Sequence, residues 1–174
     1  MKSLLVMRHA KSAGAMAGQD DFDRELDSRG REDLPRMGRA IAAADSPQLV
    51  LSSGALRARQ TTVGIGSFLP DATTRYDDGL YLATPATLHE TMAREGGDAD
   101  CILVVAHNPG LEMWVEELCG AQVVLPTAGL ACIDFGTSSW QRLSRGGGQL
   151  RFYLIPRLLE ALEANQVIIK AEPP

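Results

Sequence analysis

LLVMRHAKSAG, residues 4–14, decides how the rest of the chain is read. Leu4–Met7 is an apolar run of strand length, yet it passes directly into Arg8 and His9, a pair that a hydrophobic core excludes. An arginine so placed must be paired, bound to an anion, or set at the end of a strand where the sheet opens to solvent. Open α/β sheets keep their ligands at that end. The same juncture recurs twice. Leu49–Leu51 runs into SSGALRARQT, with Arg57 and Arg59, and Cys101–Ala106 runs into His107 and Asn108.

Two further apolar runs, Leu130–Phe135 and Leu150–Ile155, read as strands, with Gly146–Gly148 before the second as a turn. Helical spacing lies between the strands. Leu34, Met37, Ile41 and Ala44 share one face, with Pro35 expected early in that helix or as a kink in it. Thr84 caps a segment reaching Arg94, with Pro85 at its first position, and Leu111, Val115 and Leu118 mark another helix after Pro109-Gly110. Strands alternating with helices predict a three-layer α/β/α sandwich. Its sheet is mostly parallel, with an antiparallel hairpin at one edge. The 174 residues suit a single domain over residues 1–174, with Gln19–Asp27 as an acidic surface loop and Lys170–Pro174 as a flexible tail.

Composition narrows the function. A net charge of −5 argues against a nucleic-acid binder, which needs a basic face, so any anionic ligand must be met by a local basic pocket. Cys101, Cys119 and Cys132 are odd in number and set among apolar residues, which speaks against disulfides and zinc and for a reducing cytoplasm. MKSLLVM lacks the pattern of a signal peptide, and no apolar run reaches the ~20 residues of a membrane span. Three scattered histidines without a carboxylate cluster give no metal-ligand pattern, and no cofactor is expected.

In a parallel sheet the three junctures lie along one edge, so two histidines and at least two arginines converge there. Guanidinium forks bind phosphoryl oxygens in pairs, and phosphate is the ligand that such a pocket suits best. Helices starting near Gly54 and Pro109 would add backbone N–H groups at that edge.

With these pieces in place, the chain resembles the histidine phosphatase superfamily, also called phosphoglycerate mutase-like, and within it the small SixA-type phosphohistidine phosphatases. The resemblance is carried by LLVMRHAKS, DFDRELDSRGREDLPRMGRAI, VLSSGALRARQT, LYLATPATL, LVVAHNPGLE and FYLIPRLL. Arg8-His9-Ala10 stands where much of the superfamily has Arg-His-Gly. The resemblance implies that His9 is a nucleophile forming a phosphohistidine enzyme, with Arg8, Arg57 and His107 stabilising the phosphoryl oxygens. The spacing of Ser53, Arg57 and Thr61 fits the family pattern and selects Arg57 over Arg59.

Other roles are open to two readings. Asp77 and Asp78 are either a plain turn or, at Asp78, the acid that protonates an ester leaving group. Asn108 either caps the next helix or touches the ligand. Arg24 is either a solvated loop charge or a substrate contact at the pocket mouth. Thr127 is expected to be structural and His89 exposed. The resemblance implies removal of phosphate from a phosphohistidine, possible partners being histidine-phosphorylated phosphotransfer domains of signalling proteins. The alternatives are a small phosphate ester as substrate, a mutase, for which the chain is short, and a phosphate-binding module without turnover.

Overall fold

The computed structural model describes residues 1–171, and side-chain surroundings through residue 165. The elements run β1 (Lys2–Arg8), α1 (Ser28–Ala44), β2 (Leu49–Ser53), α2 (Leu56–Gly66), β3 (Thr73–Asp77), α3 (Pro85–Glu95), β4 (Cys101–Ala106), α4 (Gly110–Cys119), β5 (Leu130–Phe135), β6 (Gly148–Leu154) and α5 (Pro156–Ala171). They build the expected α/β sandwich around one six-stranded sheet of order β3-β2-β4-β1-β5-β6. β3, β2, β4 and β1 are parallel, whereas β5 is antiparallel to both β1 and β6.

Strand periodicity produces the three layers. In β1, Leu4 and Val6 face one core with Leu88, Met92, Leu111 and Trp114 of α3 and α4. Leu5 and Met7 face the other, with Leu34, Met37 and Ile41 of α1 and Ala58 and Ile65 of α2. Right-handed crossovers dictate this division. The connections from β1 to β2 and from β2 to β3 step one way across the sheet and place α1 and α2 on one face. The connection from β3 to β4 steps back and places α3 on the other, where α4 packs beside it before the chain returns as the antiparallel β5. Neighbouring strands β1 and β4 therefore send their chains to opposite faces, which opens a crevice between their carboxyl ends.

Several local readings change. α1 begins at Ser28, because Asp27 caps it by accepting a 2.7 Å hydrogen bond from the Gly30 N–H. The run expected as an acidic surface loop thus ends in a helix cap and holds a short 3-10 turn at Asp21–Asp23. Pro35 lies well inside α1 on its exposed side. β3 and α5 were not legible as separate elements. α5 extends to Ala171, and the remainder of the tail expected over residues 170–174 lies outside the described residues. All three cysteines are free thiols, with Cys101 and Cys132 buried. No described helix is long and apolar enough to cross a membrane.

Candidate active site

Each of the three junctures delivers its polar residues to the crevice. His9 leaves β1 and is 6% exposed, His107 leaves β4 at 2%, and Arg57 sits in the first turn of α2 at 4%. The two imidazole rings lie 4.9 Å apart between centroids. Together with Arg8, Arg24 and Asn108 they line a cleft of about 400 Å³.

The chain around His9 is held from both sides. Its backbone N–H donates to Ala106 O of β4, and its carbonyl accepts from the N–H of Ala128, a residue in the left-handed region at φ 59°. Thr61 of α2 ties the next residue down. Its hydroxyl accepts from the Ala10 N–H at 2.9 Å and donates to Arg57 O at 2.7 Å, so the His9 loop and the helix carrying Arg57 share one buried contact.

Hydrogen bonding sets the ring's protonation. His9 Nδ1 lies 2.8 Å from the Ala10 carbonyl, an acceptor, so Nδ1 carries the proton. His9 Nε2 then accepts from Arg57 Nε–H at 3.2 Å. A ring so placed must be neutral, with its lone pair at Nε2. Burial holds its pKa down to about 4, with Arg57, Arg8 and Arg24 pushing the same way against the Ala10 bond. Burial first, then His9 and Arg57, hold His107 down to about 3. His107 Nε2 pairs with the Ser53 hydroxyl at 2.8 Å, while Nδ1 is buried without a protein partner.

Arg8 donates from Nη1 to the Leu125 carbonyl at 3.0 Å, and its buried Nε has no protein partner. Asn108 spends both amide hydrogens inside the protein, on Glu112 Oε1 at 2.7 Å and on the same Leu125 carbonyl at 2.9 Å. Glu112 also accepts from the Leu125 N–H, so this carboxylate on α4 fixes the loop that orients Arg8. Glu112 is a residue braced against the site that sequence reasoning missed.

Asp21 is another. From the 3-10 turn its carboxylate accepts from Arg57 Nη2 at 2.9 Å, from Arg24 Nη1 at 2.7 Å and from the Tyr81 hydroxyl at 2.6 Å. The hydrogen bonds from Tyr81 and Arg24 are the largest of the effects that keep it well below the usual carboxylate range. Tyr81 stands edge-on to His107, and Leu82 after it, exposed and left-handed at φ 46°, forms part of the cleft mouth. The sequence signal for Asp21 was its spacing of three from Arg24, hidden in a run that reads as a solvated loop.

The remaining candidates fall elsewhere or at the rim. Asp78 does not line the cleft; its carboxylate packs on Gly54, where an added Cβ would lie 1.7 Å from Oδ1, and it borders a neighbouring depression with Arg59, Arg75 and Tyr76. Arg59 turns away from His9 and stacks 4.1 Å from the Tyr76 ring centre. Arg24 reaches the cleft but is tied to Ser12 and Ala13 as well as Asp21. Thr127 borders the cleft, and His89 lies half-buried in a separate groove beside Trp114. Among the described residues no group of three or more His, Cys, Asp or Glu side chains is placed to hold a metal ion.

Sheet order and crevice define the class as the phosphoglycerate mutase-like α/β fold. Residues 4–81 match the family described as Histidine phosphatase superfamily (branch 1). An uncharacterised protein of Mycobacterium tuberculosis is 33% identical over 163 residues, spanning 87% of this chain and 100% of that protein. The chain therefore belongs to the histidine phosphatase superfamily, and that membership supports a phosphatase activity. A structure from Agrobacterium tumefaciens, provisionally assigned as the phosphohistidine phosphatase SixA, superposes with a TM-score of 0.77 at 28% identity, covering 89% of this chain and 98% of that one. The protein histidine phosphatase SixA complexed with tungstate shares the fold at a TM-score of 0.74 and 22% identity, covering 90% and 99%.

Proposed function

We propose that this protein is a phosphohistidine phosphatase acting in the cytoplasm on a histidine-phosphorylated phosphotransfer domain of a signalling protein, with His9 as covalent nucleophile. The observation that carries the reading is the state of His9: Nδ1–H is held by Ala10 O, and the Nε2 lone pair meets the guanidinium of Arg57. Nε2 attacks phosphorus in line, the phosphoryl group moves to His9, and water then attacks the phosphoenzyme. Arg57, the unpartnered Arg8 Nε and the unpartnered His107 Nδ1 supply donors for the phosphoryl oxygens as charge builds on them. Arg24 stands at the mouth, and Asn108 acts by positioning the Leu125 loop that orients Arg8. The donors that the mechanism invokes are guanidinium and imidazole N–H groups, and it invokes no metal.

The choice of leaving group follows from the acids available. Asp78 lies outside the cleft, and Asp21 stays ionised, so neither is placed to hand a proton to an ester oxygen. A phosphohistidine needs no such acid, because its ring leaves as neutral imidazole when the far nitrogen is protonated.

The test is side-by-side hydrolysis, in the presence of a chelator, of a histidine-phosphorylated phosphotransfer domain and a panel of small phosphate esters. Faster turnover of the phosphoprotein and an acid-labile phosphoenzyme that His9→Ala abolishes are expected. Normal turnover by folded His9→Ala would sink the mechanism, and preference for the esters would sink the substrate.

A further inference from the structure

A carboxylate inside an anion-binding cleft is a puzzle, because it opposes the phosphate that the arginines attract. Asp21 is not a remote bystander. His9 Nε2 is bonded to Arg57 Nε, and Asp21 Oδ2 to Nη2 of the same guanidinium. Only the width of that group separates nucleophile from carboxylate. Two carboxylate oxygens offer about four acceptor positions, and Arg57, Arg24 and Tyr81 occupy three. Oδ2 already accepts from both Arg57 and Tyr81, so the remaining position is on Oδ1, which holds only Arg24, on a side chain that is 45% exposed.

We infer that Asp21 is a specificity-determining residue that accepts a hydrogen bond from the far N–H of the departing imidazole and so selects a nitrogen leaving group over an ester oxygen. The inference rests on the phosphohistidine reading and deepens it. The substrate enters as an imidazolium whose far nitrogen is protonated. His9 Nε2 forms the new bond to phosphorus, the P–N bond breaks, and its electron pair returns to the leaving nitrogen. The substrate ring departs neutral, keeping its far proton, while the positive charge passes to His9, whose Nδ1 proton stays on Ala10 O. Asp21 stabilises the cationic ring as it binds and holds its proton in place. To an ester the same carboxylate presents only negative charge, next to an oxygen that is itself becoming negative.

The experiment compares wild type, Asp21→Asn and Asp21→Glu on N-phosphoimidazole, its far-nitrogen N-methyl derivative and p-nitrophenyl phosphate. A charge-assisted bond of ordinary strength predicts that the ratio of N–P to O–P turnover, as kcat/KM, falls about 10- to 100-fold in Asp21→Asn. Asp21→Glu should recover part of the ratio, and wild type should lose much of its preference on the methylated ring, which has the charge without the N–H. If Asp21 only braces Arg57, both activities fall together and the ratio stays, which overturns the inference and leaves the phosphohistidine reading standing. If wild type turns over the ester and no N–P compound, both fail.

Discussion

Lowering the pH from 7 to 5 should destabilise this protein through two buried histidines, and the size of the effect follows from the site. Histidine in the unfolded chain titrates near 6.5, whereas the fold holds His9 down to about 4 and His107 to about 3. Between those values the unfolded chain binds protons that the native state refuses. Stability from this source is therefore complete above the unfolded value and declines as the pH falls through 6.5. At pH 5 each unfolded imidazole is almost fully charged while each native ring is neutral. The gap of about 1.5 units at ~1.4 kcal/mol per unit is about 2 kcal/mol per ring, a large share of the ~5–15 kcal/mol of a typical domain. The assay is urea unfolding of wild type and His9→Asn at both pH values. The variant should lose about 2 kcal/mol less than wild type between pH 7 and 5. Asp33, whose carboxyl is raised by burial, works in the opposite direction but is common to both proteins and cancels in the comparison. Equal losses in the two proteins, or a His9 resonance titrating near 6.5, would refute the account of a neutral, buried nucleophile.

Thr61→Val keeps the side-chain shape but strands the Ala10 N–H in a buried site. The expected cost is about 1–3 kcal/mol, read as a lowered urea midpoint, together with a fall in kcat as His9 and Arg57 lose their shared tether. Arg57→Lys retains a charge and removes the Nε–H bonded to His9 along with the fork to Asp21; kcat should drop about 10²- to 10³-fold with the fold intact by circular dichroism. Gly110→Ala would put a Cβ 1.9 Å from the Ala83 carbonyl oxygen, a backbone atom that cannot swing aside, so the start of α4 or the Ala83 loop must shift. Thermal unfolding should show a loss of about 1–3 kcal/mol.

What the sequence disclosed and what it hid divide along a physical line. β1, β4 and β5 are buried, so hydrophobic runs mark them, and residues set one step past a buried strand declare themselves by breaking the run; His9 and His107 were visible in that way. β3, with sequence TTRYD, is mostly exposed and is held to β2 by backbone pairing, which leaves no hydrophobic trace. In its described part α5 is tied to α1 by ion pairs, Arg29 with Glu160 and Arg36 with Glu163, beside a partly buried Leu159, which leaves little apolar pattern to read. Asp21 reaches the cleft from a loop turn, while Tyr81 from the stretch before α3 and Glu112 from the side of α4 brace residues that line it. Their local sequence reads as ordinary surface, and only the packing of separate elements brings Asp21 to Arg57, Tyr81 to Asp21, and Glu112 to the Leu125 backbone that Arg8 also uses.

The electrostatics of the cleft then close into a cycle under the proposed mechanism. Burial and the nearby guanidinium groups disfavour a charged imidazole in the free enzyme, which keeps Nε2 unprotonated and ready to attack once the Arg57 Nε–H turns from it to the phosphoryl group. Those same cations attract the phosphoryl dianion, and its arrival offsets them. Once the phosphoryl group sits on His9, a positive ring is no longer penalised as it was, and the Nδ1 proton on the Ala10 carbonyl can stay in place. That retained proton is what makes the ring a good leaving group when water attacks. Departure of phosphate exposes the cations again and returns His9 to its neutral state. One set of positive charges therefore prepares the nucleophile, binds the group to be transferred and resets the ring, so no titrating residue has to switch between the two halves of the reaction.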